Sequence, residues 1–448
     1  MWARVGFAIV LAVALIVTSS GSVSAAPDLP QPVGGQVAFV VGLMNGGQAD
    51  DATLQAHFSP AFLQQVSVAQ LRSTIAQVDQ ATPQAVTIKR VVRAVPLEAE
   101  VLLANAPPEV RDLKIAVSKT APHRIEGLLL SSGAAPVAAS ASLGDFAKRT
   151  RAIAPRGVSL LVARVRQGHC VPLAQHSADT PRALGSAFKL FVLSTVMRKI
   201  ESGQLRWDTP VVVRRPLISL PSGTMQNAPV GSTLPLREVA ARMIEISDNT
   251  AADHLIALVG RRAVEREQAA LGVADPQRNA PFLTTRELFL FRTTARSRLS
   301  AYLALRDREA RLRFLVREID SLPLPTATAF ASWVSARDTQ RVEWYASPAD
   351  LCRTLIRLSA RLRKPTLHPA ADILRRNPIL SYDTGVWQPV AAKGGSEPGV
   401  LTVSVLVRRK RDGAQFVVST MLNRDAAIDE GQAIELQNTV FALLAKVS

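Results

Sequence analysis

The spacing of apolar positions divides the chain into two parts. Up to about residue 130, apolar residues recur at helical spacing over residues 37–43 and 68–78. Four short runs rich in β-branched residues follow, separated by Pro and Asn turns: residues 85–95, 98–103, 113–117 and 125–130. Helices followed by an antiparallel sheet predict a small α+β domain over residues 26–130.

A segment of small residues, 131–141, follows, and its composition predicts a linker. Over the remaining residues, 142–448, strands are expected at 158–165, 170–174, 390–394, 400–408 and 416–421. Helices are expected at 142–151, 186–203, 236–246, 250–259 and 431–444. Two early and three late strands predict one five-stranded antiparallel sheet with a helical lobe inserted between them. A functional site is expected at the seam.

Composition supports folded domains and narrows the partners. The 448 residues, 48% apolar and 20% charged, are enough for two or three domains. The formal net charge of +17 comes chiefly from arginines, which are densest over residues 292–317. No zinc finger, Gly-rich phosphate loop or aromatic-basic interleaving accompanies them, so a solvated helical face is favoured over nucleic-acid binding. The six histidines lack metal-ligand spacing, and we expect no metal and no other cofactor.

The first residues have the parts of a secretory signal peptide. Arg4 precedes an apolar run over residues 7–17, and small residues end at Ala25. We therefore expect cleavage near Ala25 and a periplasmic or extracellular protein, with an uncleaved anchor as the alternative. The apolar run is short for a stable transmembrane segment. Two cysteines, Cys170 and Cys352, are compatible with an oxidising compartment, and their spacing leaves their pairing open.

One short motif carries candidate chemistry. A helix beginning at Ser186 would place Ser186 and Lys189 on one face, so a hydroxyl and an amine share the same space. A serine needs a neighbouring base to become nucleophilic, and a desolvated lysine can serve as that base. Alone, this four-residue pattern is weak, and a helix-start serine followed by a surface lysine would be the simpler interpretation.

Two further elements remove that simpler interpretation. Ser247-Asp248-Asn249 falls in the break between two predicted helices, and Lys393-Gly394-Gly395-Ser396 leads into the strand at 400–408. In this order, the three elements resemble those of the class A β-lactamases and penicillin-binding serine hydrolases. The resemblance covers residues 142–448 and implies a class A β-lactamase-like domain with a five-stranded antiparallel sheet and a helical lobe.

The resemblance implies a role for each motif residue. Ser186 would form an acyl-enzyme, Lys189 would act as base for acylation, and Ser247 would relay a proton with help from Lys393. Lys393 would also attract a substrate carboxylate. The substrate-binding residues would be Asn249, Gly395 and Ser396, with the backbone N–H groups of Ser186 and Ser396 forming an oxyanion hole. We interpret Asp248 as a structural residue that ties its loop to the surroundings.

The chain departs from the class A pattern where deacylation is concerned. Class A enzymes carry a Glu on the loop after Ser-Asp-Asn, whereas residues 271–285 contain no Glu. Glu287 lies just beyond, and we expect it to be a first-turn helix carboxylate rather than a relocated base. Gly394 stands where Thr is usual. With the α+β N-terminal domain, these departures resemble the family of the cephalosporin esterase-like protein of the clavulanic acid gene cluster. That family's N-terminal domain is similar to the cone-like steroid isomerase (NTF2-like) fold.

Three functions remain open from the sequence. The favoured one is an exported serine hydrolase acting on an ester or amide, with weak β-lactam hydrolysis. The second is a D,D-peptidase-like penicillin-binding enzyme, and the third is a non-catalytic penicillin-binding sensor module. A complete set of Ser186, Lys189, Ser247 and Lys393 argues against the third, because a binding module needs no proton relay. The expected partner is a small acyl substrate, not a nucleic acid.

Overall fold

The computed structural model describes residues 29–63, 66–73, 85–104, 112–131, 137–376 and 379–448. The chain forms two compact units, and the division falls between Pro136 and Val137, inside the segment 131–141. The signal segment expected at residues 1–25 lies outside the described residues, as does the middle of the linker, 132–136. Within the described part of the chain, no helix is both long and apolar enough to cross a membrane.

The first unit has helices followed by a four-stranded antiparallel sheet, as the sequence predicts. Three helices and a further helical stretch at residues 68–73 precede the sheet: α1 (Val33–Met44), α2 (Asp51–His57) and α3 (Pro60–Leu63). The strands pair in chain order: β1 (Thr87–Val95), β2 (Glu98–Ala104), β3 (Asp112–Val117) and β4 (Ile125–Ser131). Alternate residues of β2, namely Ala99, Val101 and Leu103, are buried, which is the pattern of a strand with one face in a core.

The second unit contains the predicted five-stranded antiparallel sheet. Its strands and those of two small two-stranded sheets are, in chain order, β5 (Val158–Arg166), β6 (His169–His176), β7 (Arg182–Ala183), β8 (Pro210–Val212), β9 (Thr233–Pro235), β10 (Tyr345–Ala346), β11 (Trp387–Glu397), β12 (Val400–Arg409) and β13 (Gln415–Asn423). The main sheet has the order β11-β12-β13-β5-β6, and β7 pairs with β10 and β8 with β9. The three late strands therefore join the two early ones through β13 and β5.

Helices of this unit cover both faces of the sheet. They are α4 (Leu143–Ile153), α5 (Lys189–Glu201), α6 (Leu236–Glu245), α7 (Asn249–Val259), α8 (Arg261–Ala270), α9 (Thr285–Arg292), α10 (Leu299–Ala304), α11 (Arg308–Phe314), α12 (Ala327–Ala331), α13 (Pro348–Arg361), α14 (His368–Arg375), α15 (Glu430–Asn438) and α16 (Val440–Ala445). On β13, Phe416 and Val418 pack with α4, α15 and α16, whereas Val417 and Met421 pack with the helical lobe. Burial of alternate residues on opposite faces explains why this strand is almost continuously apolar.

Two predicted helices differ from the structure in ways that have local causes. The helix expected to begin at Ser186 starts as a 3₁₀ turn, Gly185–Phe188, and becomes α-helical only at Lys189. The closing helix expected over 431–444 is two helices that meet at Thr439. The Thr439 hydroxyl bonds to the Leu436 carbonyl and to the Ser140 hydroxyl, so its side chain competes with the regular helix at that point.

The two cysteines form a disulfide. Cys170 on β6 and Cys352 on α13 are bonded, with their Cα atoms 6.4 Å apart. The bond links the edge of the main sheet to a helix packed on its face, which sequence spacing alone could not show. Disulfides of this kind persist in oxidising compartments.

Candidate active site

The candidate nucleophile lies in the tight turn that opens α5. Gly185 has a positive φ of 51°, a conformation that residues with a Cβ adopt at a cost, and a Cβ there would approach Ser396 N to 3.0 Å. This turn exposes part of the Ser186 side chain while the residues around it, Ala187 and Phe188, are fully buried. Ser186 is therefore partly exposed on an otherwise packed element.

Lys189, one turn later, is fully buried and contacts the other motif residues. Its Nζ lies 3.1 Å from Ser186 Oγ, 3.1 Å from Ser247 Oγ and 2.7 Å from Asn249 Oδ1. Burial lowers the pKa of Lys189 well below its usual value, and the nearby Lys393 lowers it further, whereas Asp248 and Asp253 act in the opposite direction. A neutral amine beside the Ser186 hydroxyl is the arrangement that a general base requires.

Ser247 occupies the break between α6 and α7 in a left-handed conformation, with φ of 58°. Non-glycine residues pay for this conformation with strain, which the surroundings must hold in place. Asp248 supplies that support. Its carboxylate accepts the backbone N–H groups of Ala251, Thr224 and Met225 at 2.7–2.8 Å. The structural role expected for Asp248 is confirmed by these contacts.

Lys393 reaches the same serine from β11. Its Nζ lies 3.1 Å from Ser247 Oγ and 2.8 Å from Gly394 O, and the side chain is 2% exposed. Burial lowers the pKa of Lys393 to about 7. The hydroxyls and amines of Ser186, Lys189, Ser247 and Lys393 thus form one continuous series of contacts, built from three separate motifs.

Gly395 lets β11 pass directly beside the nucleophile. A Cβ at this position would lie 2.3 Å from both Leu184 O and Ser186 N, closer than any real Cβ approaches another heavy atom. The strand backbone at Gly395 and Ser396 therefore lies next to the Ser186 backbone N–H. This proximity is what the expected oxyanion hole, made from the backbone N–H groups of Ser186 and Ser396, requires.

The Asn249 side chain contacts both Lys189 and the backbone of Leu220. Its Oδ1 accepts from Lys189, and its Nδ2 donates to Leu220 O at 3.2 Å, with the side chain 2% exposed. An amide nitrogen carries two N–H donors, and the contact with Leu220 O uses one of them. Among the described residues, no group of three or more His, Cys, Asp or Glu side chains is placed to hold a metal ion.

Comparison with protein families gives the assignment for this unit. A family model described as the beta-lactamase enzyme family matches residues 147–445, which is more than half of the chain. The chain belongs to the beta-lactamase enzyme family. A second model, described as the ORF 12 gene product N-terminal, matches residues 29–117. No curated protein matches the chain significantly.

Several solved structures are similar to the chain. A variant of PBP-A, described as an acyl-enzyme complex with penicillin G, is 17% identical, covers 69% of this chain and 100% of its own, and has a TM-score of 0.47. A beta-lactamase from Sphaerobacter thermophilus is 19% identical, with coverage of 68% and 95% and a TM-score of 0.47. A beta-lactamase from Chitinophaga pinensis is 18% identical, with coverage of 68% and 100% and a TM-score of 0.46.

Within this beta-lactamase family member, Glu287 is a structural carboxylate. It is the third residue of α9 and forms a capping box with Thr284. Both of its oxygens also accept from the Arg261 guanidinium at 2.6–2.7 Å. Burial alone would raise the pKa of Glu287, but Arg261 outweighs it and the pKa lies below its usual value. Both oxygens of this fully buried carboxylate are thus engaged within the protein, by Arg261 and by the Thr284 backbone N–H.

Replacing Glu287 with Gln is expected to affect stability and leave acylation nearly intact. The change leaves the Arg261 charge without its partner, which should reduce the free energy of unfolding by about 3 kcal/mol. The rate of adduct formation per folded molecule, measured with a fluorescent penicillin below the melting temperature, should change less than about threefold. A large loss of turnover at unchanged fold would mean that Glu287 is the deacylating base after all.

A buried cluster of charged side chains lies behind the turn that carries Ser186, and the sequence did not predict it. Glu343 Oε1 accepts the Gly185 backbone N–H at 3.1 Å, and Arg292 donates to both Glu343 and Glu397 at 2.8–2.9 Å. Burial raises the pKa of Glu343 well above its usual value, and the nearby Glu397 carboxylate raises it further. Arg292 acts in the opposite direction but does not cancel the rise. The cluster thereby connects the residue before Ser186 with the residue after Ser396.

Asp253 is a second residue that the sequence analysis missed. It lies one turn after Asn249 on α7 and accepts the Thr285 and Arg286 backbone N–H groups at 2.7 and 3.0 Å. Burial raises the pKa of Asp253 to about 7, although these hydrogen bonds act to lower it. An acidic residue on an otherwise apolar helix, four positions after Asn249, is the sequence feature that could have indicated Asp253. It fixes the start of α9 to the helix that carries Asn249.

Proposed function

We propose that this protein is an exported serine hydrolase that forms an acyl-enzyme on Ser186. The observation that carries the proposal is the contact between the buried Lys189 amine and the Ser186 hydroxyl, 3.1 Å apart, within the series that ends at Lys393. The lowered pKa of Lys189 favours the neutral form of its amine. A base in that state can take the proton as the serine oxygen attacks.

In the proposed acylation, Ser186 Oγ attacks the substrate carbonyl carbon and Lys189 Nζ takes the hydroxyl proton. The negative charge that develops on the carbonyl oxygen would be stabilised by the backbone N–H groups of Ser186 and Ser396. Ser247 would then deliver a proton to the leaving group as the bond between that group and the carbonyl carbon breaks, since the Ser247 hydroxyl lies 3.1 Å from both lysines. Lys189 returns the proton through Ser247, and the acyl group remains on Ser186.

The substrate class follows from Lys393 and from the missing glutamate. Protonated Lys393 would bind a substrate carboxylate, and Asn249 would hold an amide through its second N–H. No Glu occurs at 271–285, and Glu287 is locked to Arg261. We therefore propose turnover of esters or amides, with slow hydrolysis of β-lactams. The similarity to the clavulanic-cluster esterase-like family and the cone-like fold of the first unit remain predictions, with a substrate-shaping role as our proposal for that unit.

Export is proposed from two features. The sequence of residues 1–25 has the composition of a cleavable signal peptide, and the Cys170–Cys352 disulfide is of the kind found in oxidising compartments. Cell fractionation with amino-terminal sequencing tests this. A mature protein outside the cytoplasm that begins near residue 26 supports export, and a cytoplasmic protein with Met1 retained contradicts it.

Turnover measurements separate the hydrolase from its alternatives. The protein without residues 1–25 is incubated with an acetyl ester, a penicillin and a cell-wall peptide ending in D-Ala-D-Ala. Multiple turnovers of the ester with a long-lived penicillin adduct support the proposal. Release of D-alanine with little ester hydrolysis would indicate the D,D-peptidase instead. A penicillin adduct without turnover of ester or peptide would indicate a penicillin-binding sensor.

Acylation by a carboxylate-bearing substrate is expected to fall as the pH rises above about 7. Lys393 loses its proton with a pKa of about 7, and with it the charge that binds the carboxylate. The second-order rate of penicillin acylation should then decline about tenfold per pH unit at higher pH, because this rate reports the free enzyme. Hydrolysis of p-nitrophenyl acetate, which has no carboxylate and a leaving group that needs no proton, should show no such decline. Parallel pH profiles would contradict this role of Lys393.

A further inference from the structure

The arginine-rich segment, residues 292–317, contains one half-buried arginine that lacks a carboxylate partner. Arg292, Arg298 and Arg308 pair with Glu397, Glu318 and Glu265 respectively. Arg311 has no ion pair within the part of the chain that the structure describes, and its Nε donates only to Leu305 O at 2.7 Å. Its two terminal nitrogens have no protein partner among the described residues and are able to donate to an anion.

Arg311 lines a cavity of about 220 Å³. Ser186, Lys189, Ser247 and Lys393 are not among the residues that line it. Two more arginines, Arg278 and Arg341, line the same cavity. Arg341 pairs with Asp338, and Arg278 has no ion pair among the described residues. Glu343 also borders the cavity, but its two oxygens accept from Gly185 and Arg292. The walls therefore carry an excess of positive charge.

Aromatic contacts orient two of these guanidinium groups. The Arg278 guanidinium carbon lies 3.7 Å from the centre of the Tyr345 ring, and that of Arg311 lies 5.5 Å from the centre of the Tyr302 ring. A guanidinium held over an aromatic face keeps the N–H groups at its edge available for hydrogen bonding. The fork of N–H donors matches the oxygen atoms of a phosphate or carboxylate.

A tyrosine of the cavity supplies an independent observation. Tyr302 on α10 is 3% exposed and lines the cavity, yet no residue in the described ranges forms a hydrogen bond with its hydroxyl. The hydroxyl itself keeps contact with solvent, so it can donate to a ligand in the cavity. An oxyanion in the cavity would accept from this hydroxyl as well as from the arginines.

We propose that this cavity is a second binding site, specific for a small oxyanion, in which Arg278, Arg311 and Tyr302 hold the ligand. The ligand carries a phosphate group or two or more carboxylates. A volume of about 220 Å³ is below that of most drug-sized sites and suits a small ion rather than a nucleotide. The site is independent of the acyl-enzyme chemistry.

Calorimetric titration of the protein with inorganic phosphate, and separately with citrate, tests the site. Chloride replaces the anion in control titrations at constant ionic strength. One saturable site is expected for at least one of the two anions, and the preferred anion distinguishes the two ligand sources. Arg278→Gln and Arg311→Gln should each weaken binding about tenfold or more, as expected for loss of a charged hydrogen bond. Tyr302→Phe should weaken it severalfold.

Matched variants distinguish binding in this cavity from general charge attraction and from binding at Lys393. Arg313, an exposed arginine on the same helix as Arg311, is replaced by Gln, and binding should be unchanged.

Equal binding in all arginine variants would show that only the net charge of +17 attracts the anion, which overturns the proposal. Loss of binding in Lys393→Met would place the anion at the carboxylate-binding lysine and would also overturn it. Absence of saturable binding by both anions is the third contradicting result. Penicillin acylation in Arg278→Gln and Arg311→Gln should be unchanged, so failure here leaves the proposed hydrolase untouched.

Discussion

Replacing Lys189 with methionine should slow acylation of Ser186 by about 10³-fold, within the range that a general base contributes. Lys189 is the only amine that contacts Ser186 Oγ within the described residues, and methionine keeps much of the volume of the side chain while removing the base. The rate of adduct formation with a fluorescent penicillin, followed by stopped flow, measures the effect.

Two further variants make this result specific. Lys199 lies on the same helix and contacts Gln204, so Lys199→Ala should leave acylation unchanged. Arginine at position 189 would keep a positive charge but could not lose its proton. Lys189→Arg with wild-type acylation would therefore show that the side chain acts by its charge rather than as a base. Circular dichroism on each variant confirms that the fold is retained.

The second large effect is expected at Gly395. In Gly395→Ala, the new Cβ would lie 2.3 Å from Ser186 N and Leu184 O and 2.7 Å from Ala187 N, so either β11 or the nucleophile turn must move. Both elements supply the proposed oxyanion hole, and loss of one such donor costs about 10²- to 10³-fold in rate. Acylation should fall by at least about 10²-fold by this reasoning, with a lower melting temperature as strain is introduced.

A second strand glycine provides the control. A Cβ at Gly127 on β4 would meet only the Ala116 Cβ, at 3.5 Å, which is an ordinary contact. Gly127→Ala should therefore leave acylation of Ser186 unchanged. If Gly395→Ala retains full activity, β11 does not pass beside Ser186 N as described, and the proposed oxyanion hole is wrong.

The elements that carry the site could be predicted from sequence because each motif lies in or beside an element that the apolar pattern predicts. Ser186 and Lys189 are three residues apart on one helical turn, so local geometry brings them together in either a 3₁₀ or an α-helical turn. Ser247 lies in the break after an amphipathic helix, and Lys393 lies on the strand that leads into the Val- and Leu-rich β12. The apolar periodicity of these elements also predicted the five-stranded sheet.

The residues that support the site could not be predicted in the same way. Arg292 meets Glu343 and Glu397 across 51 and 105 positions of sequence, and no local pattern marks these three as partners. The cavity at Arg311 likewise forms only when α10, α11 and the segment before β10 meet. Long-range contacts between charged side chains depend on packing that periodicity does not encode.

The most direct test of the central claim is to locate the acyl group. The protein without residues 1–25 is trapped with a penicillin, digested and analysed by tandem mass spectrometry, beside Ser186→Ala. The account predicts one penicilloyl group on the peptide that contains Ser186, and no adduct on the variant. An adduct on Ser247 or another residue, or an equal adduct on Ser186→Ala, would contradict it.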